Sequence, residues 1–341
     1  MRQAMAAAEV GDEQQRLDPS VNQLCERIAE LLGKEEAVFL PSGTMCNQIA
    51  LAVHCEAGDE IIADESAHVI NYEAGGLAVF AGAMVRPLRG ERGIFSATQL
   101  DQGIRKQSLY GGSFHEPRPK LVVVEQTSNR GGGSIWPLDT LQEVSDVARK
   151  HGLTLHMDGA RLMNAVIASG VAAKAYTSLV DTAWLDLSKG LGCPVGGVLA
   201  GSSEFIHAAW RWKHRLGGAM RQAGILAAAG TWALDHHVQR LADDHANAQY
   251  MAELLREIDG ITVVNDDVPT NLVFFDVANS GQSAAALSDS LAEHGVRIGA
   301  LWQPAPPRFL DVRVPLQWAP GCDFLASQPH LNARMWTILY D

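Results

Sequence analysis

The sequence predicts an α/β fold: a large domain on a mostly parallel sheet, then a small α+β domain. Short apolar segments alternate with stretches of helical spacing, the pattern of a sheet laid down by strand–helix–strand units. One segment, Lys120-Leu-Val-Val-Val-Glu125, is a continuous apolar run, as expected of a strand buried on both faces. Near residue 240 the character changes to short strands beside a single helix. The 341 residues suffice for two domains, placed at 1–240 and 241–341.

The elements follow in order. Val21, Leu24, Ile28, Leu31 and Leu32 repeat at helical spacing, and Gly33 is a stop signal. Ala37-Val-Phe-Leu40 reads as a strand running into a tight Pro41-Ser-Gly-Thr44 loop, with a helix from Met45 to His54. Strands are expected at 59–63, 83–87, 120–125, 153–158, 182–187 and 195–200, with a helix over 138–151. From Met220 to Ala246 the sequence is alanine-rich and helical, leading out of the large domain. Strands at 261–264, 271–275 and 312–314 and a helix at 283–294 complete the small domain.

Composition narrows the function. A net charge of −12 and no basic stripe argue against a nucleic-acid partner. No apolar run reaches membrane-spanning length and no signal-peptide pattern opens the chain, so a cytoplasmic protein is expected. Cys25, Cys46, Cys55, Cys193 and Cys322 show neither paired nor zinc-like spacing, so reduced thiols and no metal site are expected.

The chemistry lies in two strand ends. Lys189, in Leu185-Asp-Leu-Ser-Lys-Gly190, offers an amine suited to Schiff-base formation. Asp158, closing Leu155-His-Met-Asp158, can hold a protonated pyridine nitrogen. Together they read as a pyridoxal-phosphate site, beyond the carboxyl ends of the strands where ligands of such sheets bind. Pro41-Ser-Gly-Thr44, between a strand and a helix, can cradle a phosphate through free amides, with Gly43 admitting close approach and Thr44 adding a hydroxyl. An ordinary capped turn is the alternative. His156 and Asp158 share one strand face. Arg161 is read either as a salt-bridge partner of Asp158 or as a contact to cofactor or substrate. His68, in Asp64-Glu-Ser-Ala-His68, can stack on a ring and relay protons.

Five blocks occur in order: Pro41-Ser-Gly-Thr-Met-Cys-Asn-Gln48, Asp64-Glu-Ser-Ala-His68, His156-Met-Asp-Gly-Ala-Arg161, Ser188-Lys-Gly-Leu-Gly-Cys-Pro-Val-Gly196 and Leu216-Gly-Gly-Ala-Met-Arg-Gln-Ala-Gly224. With them the chain resembles the low-specificity L-threonine aldolases and the related phenylserine aldolases. These are pyridoxal-phosphate enzymes of the aspartate-aminotransferase fold (fold type I). The resemblance implies retro-aldol cleavage of β-hydroxy-α-amino acids to glycine and an aldehyde, in a homodimer or homotetramer with shared active sites. It implies that Lys189, with Ser188 before it, binds the cofactor aldehyde, that Asp158 faces the pyridine nitrogen and that His68 stacks on the ring. Ser42, Gly43 and Thr44 would hold phosphate, and Arg161 would lie near the ring oxygen and the substrate carboxylate. Arg313, in Asp311-Val-Arg-Val314, matches a carboxylate-binding arginine. Lys213 and Arg221 match a basic pair near the site and the subunit interface; ordinary surface charge on a helix is the alternative. Trp210, Trp212 and Trp232 are read as interface or core residues.

Three departures stand out. The family's opening strand, with an Arg-Ser-Asp motif, has no counterpart here. Gln15 replaces a tyrosine that reaches the neighbouring subunit. Ser128 stands where many members have a histidine near the substrate hydroxyl, which leaves the base open and favours bulky β-aryl substrates. Another reaction on the same scaffold (elimination, racemisation, transamination) and an inactive, binding-only homologue are the rival readings.

Overall fold

Seven strands of the first two-thirds of the chain hydrogen-bond into one sheet, in a computed structural model that describes residues 1–105, 113–301 and 309–313. They are β1 (Glu36–Leu40), β2 (Asp59–Asp64), β3 (Met84–Leu88), β4 (Arg118–Glu125), β5 (Thr154–Asp158), β6 (Thr182–Asp186) and β7 (Gly197–Gly201), in the order β1-β7-β6-β5-β4-β2-β3. The pairs β2–β3, β2–β4, β4–β5 and β5–β6 are parallel, whereas β7 runs antiparallel to both β1 and β6. Residues 187–196 are too few for the crossover that a parallel neighbour requires, so β7 returns as a hairpin partner of β6. The carboxyl ends of β4, β5 and β6, at Glu125, Asp158 and Asp186, therefore share one edge of the sheet.

The helices of this unit, Met1–Val238, are α1 (Arg2–Ala6), α2 (Pro19–Leu32), α3 (Gly43–His54), α4 (His68–Asn71), α5 (Ala97–Gly103), α6 (Leu138–Lys150), α7 (Leu162–Ser169), α8 (Ala173–Thr177), α9 (Ser203–Arg215) and α10 (Gly224–His236). The start and stop of α2 are written in the sequence. Asp18 accepts a hydrogen bond from the Val21 amide, proline follows it, and Gly33 closes the helix at φ 59°. Of the periodic pattern, Val21, Leu24, Ile28 and Leu32 are buried, together with Ala29, while Leu31 is half-buried. In β4, Leu121, Val122, Val123 and Val124 are all buried, which is why that segment lacks polar alternation.

The second unit, Gln239–Asp341, carries α11 (Leu241–Arg256), α12 (Ala284–Glu293) and a four-stranded antiparallel sheet. Its strands are β8 (Thr262–Val263), β9 (Leu272–Asp276), β10 (Gly299–Leu301) and β11 (Phe309–Arg313), in the order β10-β11-β9-β8. Val273, Phe275 and Val277 pack against Ala248 and Ala252 of α11 and Ala284 and Leu291 of α12. The strand expected at 312–314 runs instead from Phe309, and Val314 lies outside the described residues. The continuous helix expected from Met220 to Ala246 is interrupted at 237–240. There His237 turns inward: its Nδ1 bonds the Leu191 carbonyl at 2.6 Å and its ring meets Trp232 edge-on. Tertiary contacts have overridden the propensity of the alanine-rich run.

Among the described residues no helix is long and apolar enough to cross a membrane. Cys25, Cys46, Cys55 and Cys193 are free thiols, and burial pushes Cys25, Cys55 and Cys193 up to about 12. Cys322 lies outside the described residues.

Candidate active site

Lys189 hangs from the loop between β6 and β7. Asp186, the last residue of β6, organises that loop by accepting the Ser188 amide at 2.6 Å and the Ser188 hydroxyl at 2.9 Å, both on Oδ1. Its other oxygen, Oδ2, sits 3.5 Å from Lys189 Nζ, which also lies 5.9 Å from the centre of the Trp184 ring. Backbone bonds from Gly192 to Lys189 and from Cys193 to Leu187 close the turn, and His237 holds it at Leu191. The lysine side chain is 23% exposed, so a small aldehyde can reach an amine that is otherwise held in place.

Asp158 ends the adjacent strand. The register of β5 with β6 pairs His156 with Thr182 and Met157 with Ala183, which sets Asp158 level with Trp184. The carboxylate is 1% exposed; Oδ1 accepts the Ala160 amide at 3.0 Å and Oδ2 accepts the Asn47 amide at 2.7 Å. Arg161, read from the sequence as a possible ion-pair partner for it, has Nη1 3.4 Å from Asn129 Oδ1.

His68 is the first residue of α4. Its backbone amide donates to Glu125 Oε2 at 2.9 Å, and its Nδ1 meets Glu73 Oε1 at 2.9 Å. Burial disfavours charge on the imidazole, but its hydrogen bond to the Glu73 carboxylate and the charges of Asp158, Glu73 and Glu125 together raise its pKa above the usual histidine value. Burial and the Asp158 charge push Glu125 up to about 7. Burial likewise raises Glu73, against the pull of His68 and Asn47. Half-buried His68 and buried Glu73 thus form an acid–base pair that favours a proton between them. His68, Glu73 and Asp158 present ligand atoms within 4.8 Å of one another. The Asn47 amide donates to both carboxylates at 2.7 Å, so one side chain ties Glu73 to Asp158.

The start of α3 faces the same edge. Ser42 caps it, its hydroxyl accepting the Met45 amide at 3.2 Å, which leaves the amides of Gly43 and Thr44 directed out of the helix front. Glycine is required at 43 for a reason the sequence did not show. A Cβ there would come within 2.6 Å of Cζ3 of Trp184 and closer still to Cη2. The loop after α9 reaches the same helix start: a Cβ on Gly218 would lie 2.5 Å from Met45 Sδ and 3.4 Å from Pro41 Cδ.

Lys213 is not surface charge. It is fully buried, its Nζ 2.8 Å from the equally buried Glu13 Oε2 and 4.4 Å from the centre of the Trp210 ring. Glu13 also accepts the Met220 amide at 2.6 Å, so this pair fastens the loop carrying Gly218. Arg221 is exposed and bonds Asp12 at 2.7 Å. Gln15 ends the short turn that carries these two acids. The Ser128 hydroxyl accepts the Gly131 amide at 3.2 Å and packs on Gly93. Arg313 lies in the second unit, on β11 opposite Leu272. Trp232 stacks on His236 with ring centres 4.3 Å apart.

The profile of the beta-eliminating lyase family matches residues 1–278. The low-specificity L-threonine aldolase of Escherichia coli K12 is 43% identical over 300 residues, covering 88% of this chain and 86% of that protein. The chain belongs to the low-specificity L-threonine aldolase family of beta-eliminating lyases. A probable low-specificity L-threonine aldolase of Arabidopsis thaliana is 40% identical over 302 residues, covering 87% of this chain and 84% of the relative. The solved structure of a putative L-allo-threonine aldolase from Listeria monocytogenes superposes with a TM-score of 0.74 at 22% identity, over 92% of both chains, which shows the shared fold. That fold is fold type I of the pyridoxal-phosphate enzymes. The residues of this aldolase-family chain fit the cofactor chemically. An amine and a buried carboxylate sit on neighbouring strand ends, an imidazole stands beside the carboxylate, and a helix start offers free amides.

Sequence reasoning missed Asn47, Glu73, Glu125 and Asp186 as site residues. Asn47 left one trace: it is an amide on an otherwise apolar helix face, between Cys46 and Ile49.

Proposed function

We propose that this chain is a carbon–carbon lyase that cleaves L-threonine, L-allo-threonine and related β-hydroxy-α-amino acids, phenylserine among them, to glycine and an aldehyde. The observation that carries the reading is Asp158 at the end of β5 with Lys189 just past the end of its parallel neighbour β6. Pyridoxal 5′-phosphate, when bound, supplies a pyridinium ring that accepts the electron pair released as the Cα–Cβ bond breaks.

The chain's own residues do the rest. Lys189 Nζ is the nucleophile that binds the cofactor aldehyde. Asp158 would pair with the ring nitrogen and keep it protonated, and His68 would lie against the ring. The amides of Gly43 and Thr44, at the helix start capped by Ser42, take the phosphate. Arg161 and Arg313 are assigned to the substrate carboxylate and Ser128 to its side-chain region, all on the family resemblance. Because Nδ1 of His68 is engaged by Glu73, Nε2 is the atom left to take the proton of the β-hydroxyl. Such a base is worth roughly 10²–10⁴ in rate. The basic pair divides: Lys213 holds the loop through Glu13, and Arg221 remains the candidate for phosphate or a second subunit. A homodimer or homotetramer with shared sites, in the cytoplasm, completes the proposal.

The test is product analysis. Purified protein with pyridoxal phosphate should convert L-threonine to glycine and acetaldehyde, and L-phenylserine to glycine and benzaldehyde. Pyruvate-type keto acids, ammonia or D-amino acids without glycine would replace this reading by another reaction on the same fold.

A further inference from the structure

Asn47 makes four hydrogen bonds while fully buried. Its Oδ1 lies 2.7 Å from Trp184 Nε1 and 3.2 Å from His156 Nε2, and its Nδ2 lies 2.7 Å from both Asp158 Oδ2 and Glu73 Oε1. An indole N–H only donates, so the oxygen must face Trp184 and the NH₂ must face the two carboxylates. The amide orientation is therefore decided by chemistry.

The rest of the chain then has one direction. His156 Nε2 must donate to Asn47 Oδ1, so its Nδ1 accepts. The partner there is the Thr182 hydroxyl at 2.9 Å, which must donate. Thr182 Oγ1 is in turn left to accept from His54 Nε2 at 2.8 Å. His156 uses one donor and one acceptor among these bonds, as a neutral ring does, and His54 contributes one donor. Burial accordingly lowers His54 to about 4 and His156 to about 3.

We propose that Asn47, oriented by Trp184 and the His54–Thr182–His156 chain, is a positioning residue that holds Asp158 and Glu73 charged side by side for cofactor binding. Burial, and with it the charge of neighbouring Asp158, raises the Glu73 pKa and so works against two anions side by side. A neutral double donor between them stabilises both anions without adding a charge that would compete with the pyridinium for Asp158. Through Glu73 the same amide acts on His68. The aligned dipoles behind it strengthen the donor and stop the amide from flipping. The inference rests on the pyridoxal-phosphate reading of the site.

The experiment measures pyridoxal-phosphate dissociation constants on dialysed protein, from pH 6 to 9, for wild type, Thr182→Val, Thr182→Ser and Asn47→Asp. Thermal unfolding of the cofactor-free proteins runs alongside. Thr182→Val keeps the side-chain shape but removes the donor to His156; weakening of about 10-fold is expected, the lower end for loss of a group that orients a ligand from behind. Thr182→Ser restores the hydroxyl and should restore affinity. Asn47→Asp introduces a third carboxyl group, which can donate only while protonated. Its affinity should therefore fall as pH rises, with a slope absent from wild type. Affinities within twofold of wild type at every pH for both Thr182→Val and Asn47→Asp would overturn the positioning role while leaving the lyase assignment intact. Wild-type protein that neither binds pyridoxal phosphate nor releases glycine would overturn the assignment and this inference with it.

Discussion

Lys213 and Glu13 are both fully buried and lie 2.8 Å apart across 200 positions of sequence. At that distance and an effective dielectric of about 20, their attraction is about 6 kcal/mol. Desolvating two ions costs several kcal/mol each, so the net gain from having the pair is small. Removing one partner is a different matter, because the other is left charged and dry. Lys213→Met should cost about 3–5 kcal/mol. At about 2–4 °C per kcal/mol for a unit of this size, the unfolding midpoint should fall by about 6–20 °C. Lys213→Met combined with Glu13→Gln should recover most of the loss, since the glutamine still accepts the Met220 amide and leaves no ion behind. The measurement is thermal or urea unfolding of cofactor-free protein, read as a double-mutant cycle. A single mutant within about 1 kcal/mol of wild type, or a double mutant as unstable as the single, would refute the buried-pair argument. Lys213 would then return to a direct role in the site.

Lys189→Ala should abolish both the visible absorbance of bound cofactor and glycine release; retention of either, by absorbance scan and glycine assay, would remove the lysine from its role. Gly43→Ala should destabilise the protein by about 1–3 kcal/mol, because a methyl meets the Trp184 ring; unchanged unfolding would show that the ring yields. His68 has a raised pKa and must be neutral to accept a proton, so kcat/KM should rise with pH through that pKa. Glu73→Gln removes the carboxylate that raises it and should move the acid limb to lower pH. The sign for stability is the reverse: the charged His68 contribution is present below the unfolded pKa and is lost as pH rises through the folded one. Unfolding free energies of wild type and Glu73→Gln across pH 6–8 give that difference, and identical profiles would dismiss the pair.

Much of this was legible in the sequence because it is local. Apolar runs such as Leu121–Val124 have one comfortable fate, and Asp158 and Lys189 are marked by where they fall after such runs. What was illegible is long-range. Nothing near Asn47 indicates that its amide meets Asp158, 111 positions on, and Glu73, 26 on. Nothing near Lys213 points to Glu13. Gly43 was singled out on a ligand argument; the constraint visible in the fold is the Trp184 ring. The turn at 237–240 was hidden because alanine-rich sequence favours helix on either side, and only the Leu191 carbonyl and Trp232 pull His237 out of the pattern. β10 is three residues long and leaves no periodicity to read.

The reversed strand β7 has a bearing on how the enzyme could be re-engineered. Both ends of the loop that carries Lys189 are stitched into neighbouring ladders, like a rope bridge with two fixed anchors. Lengthening that span would slacken the amine at once. Efforts to admit new aldehydes should therefore leave 187–196 untouched and vary the rim opposite.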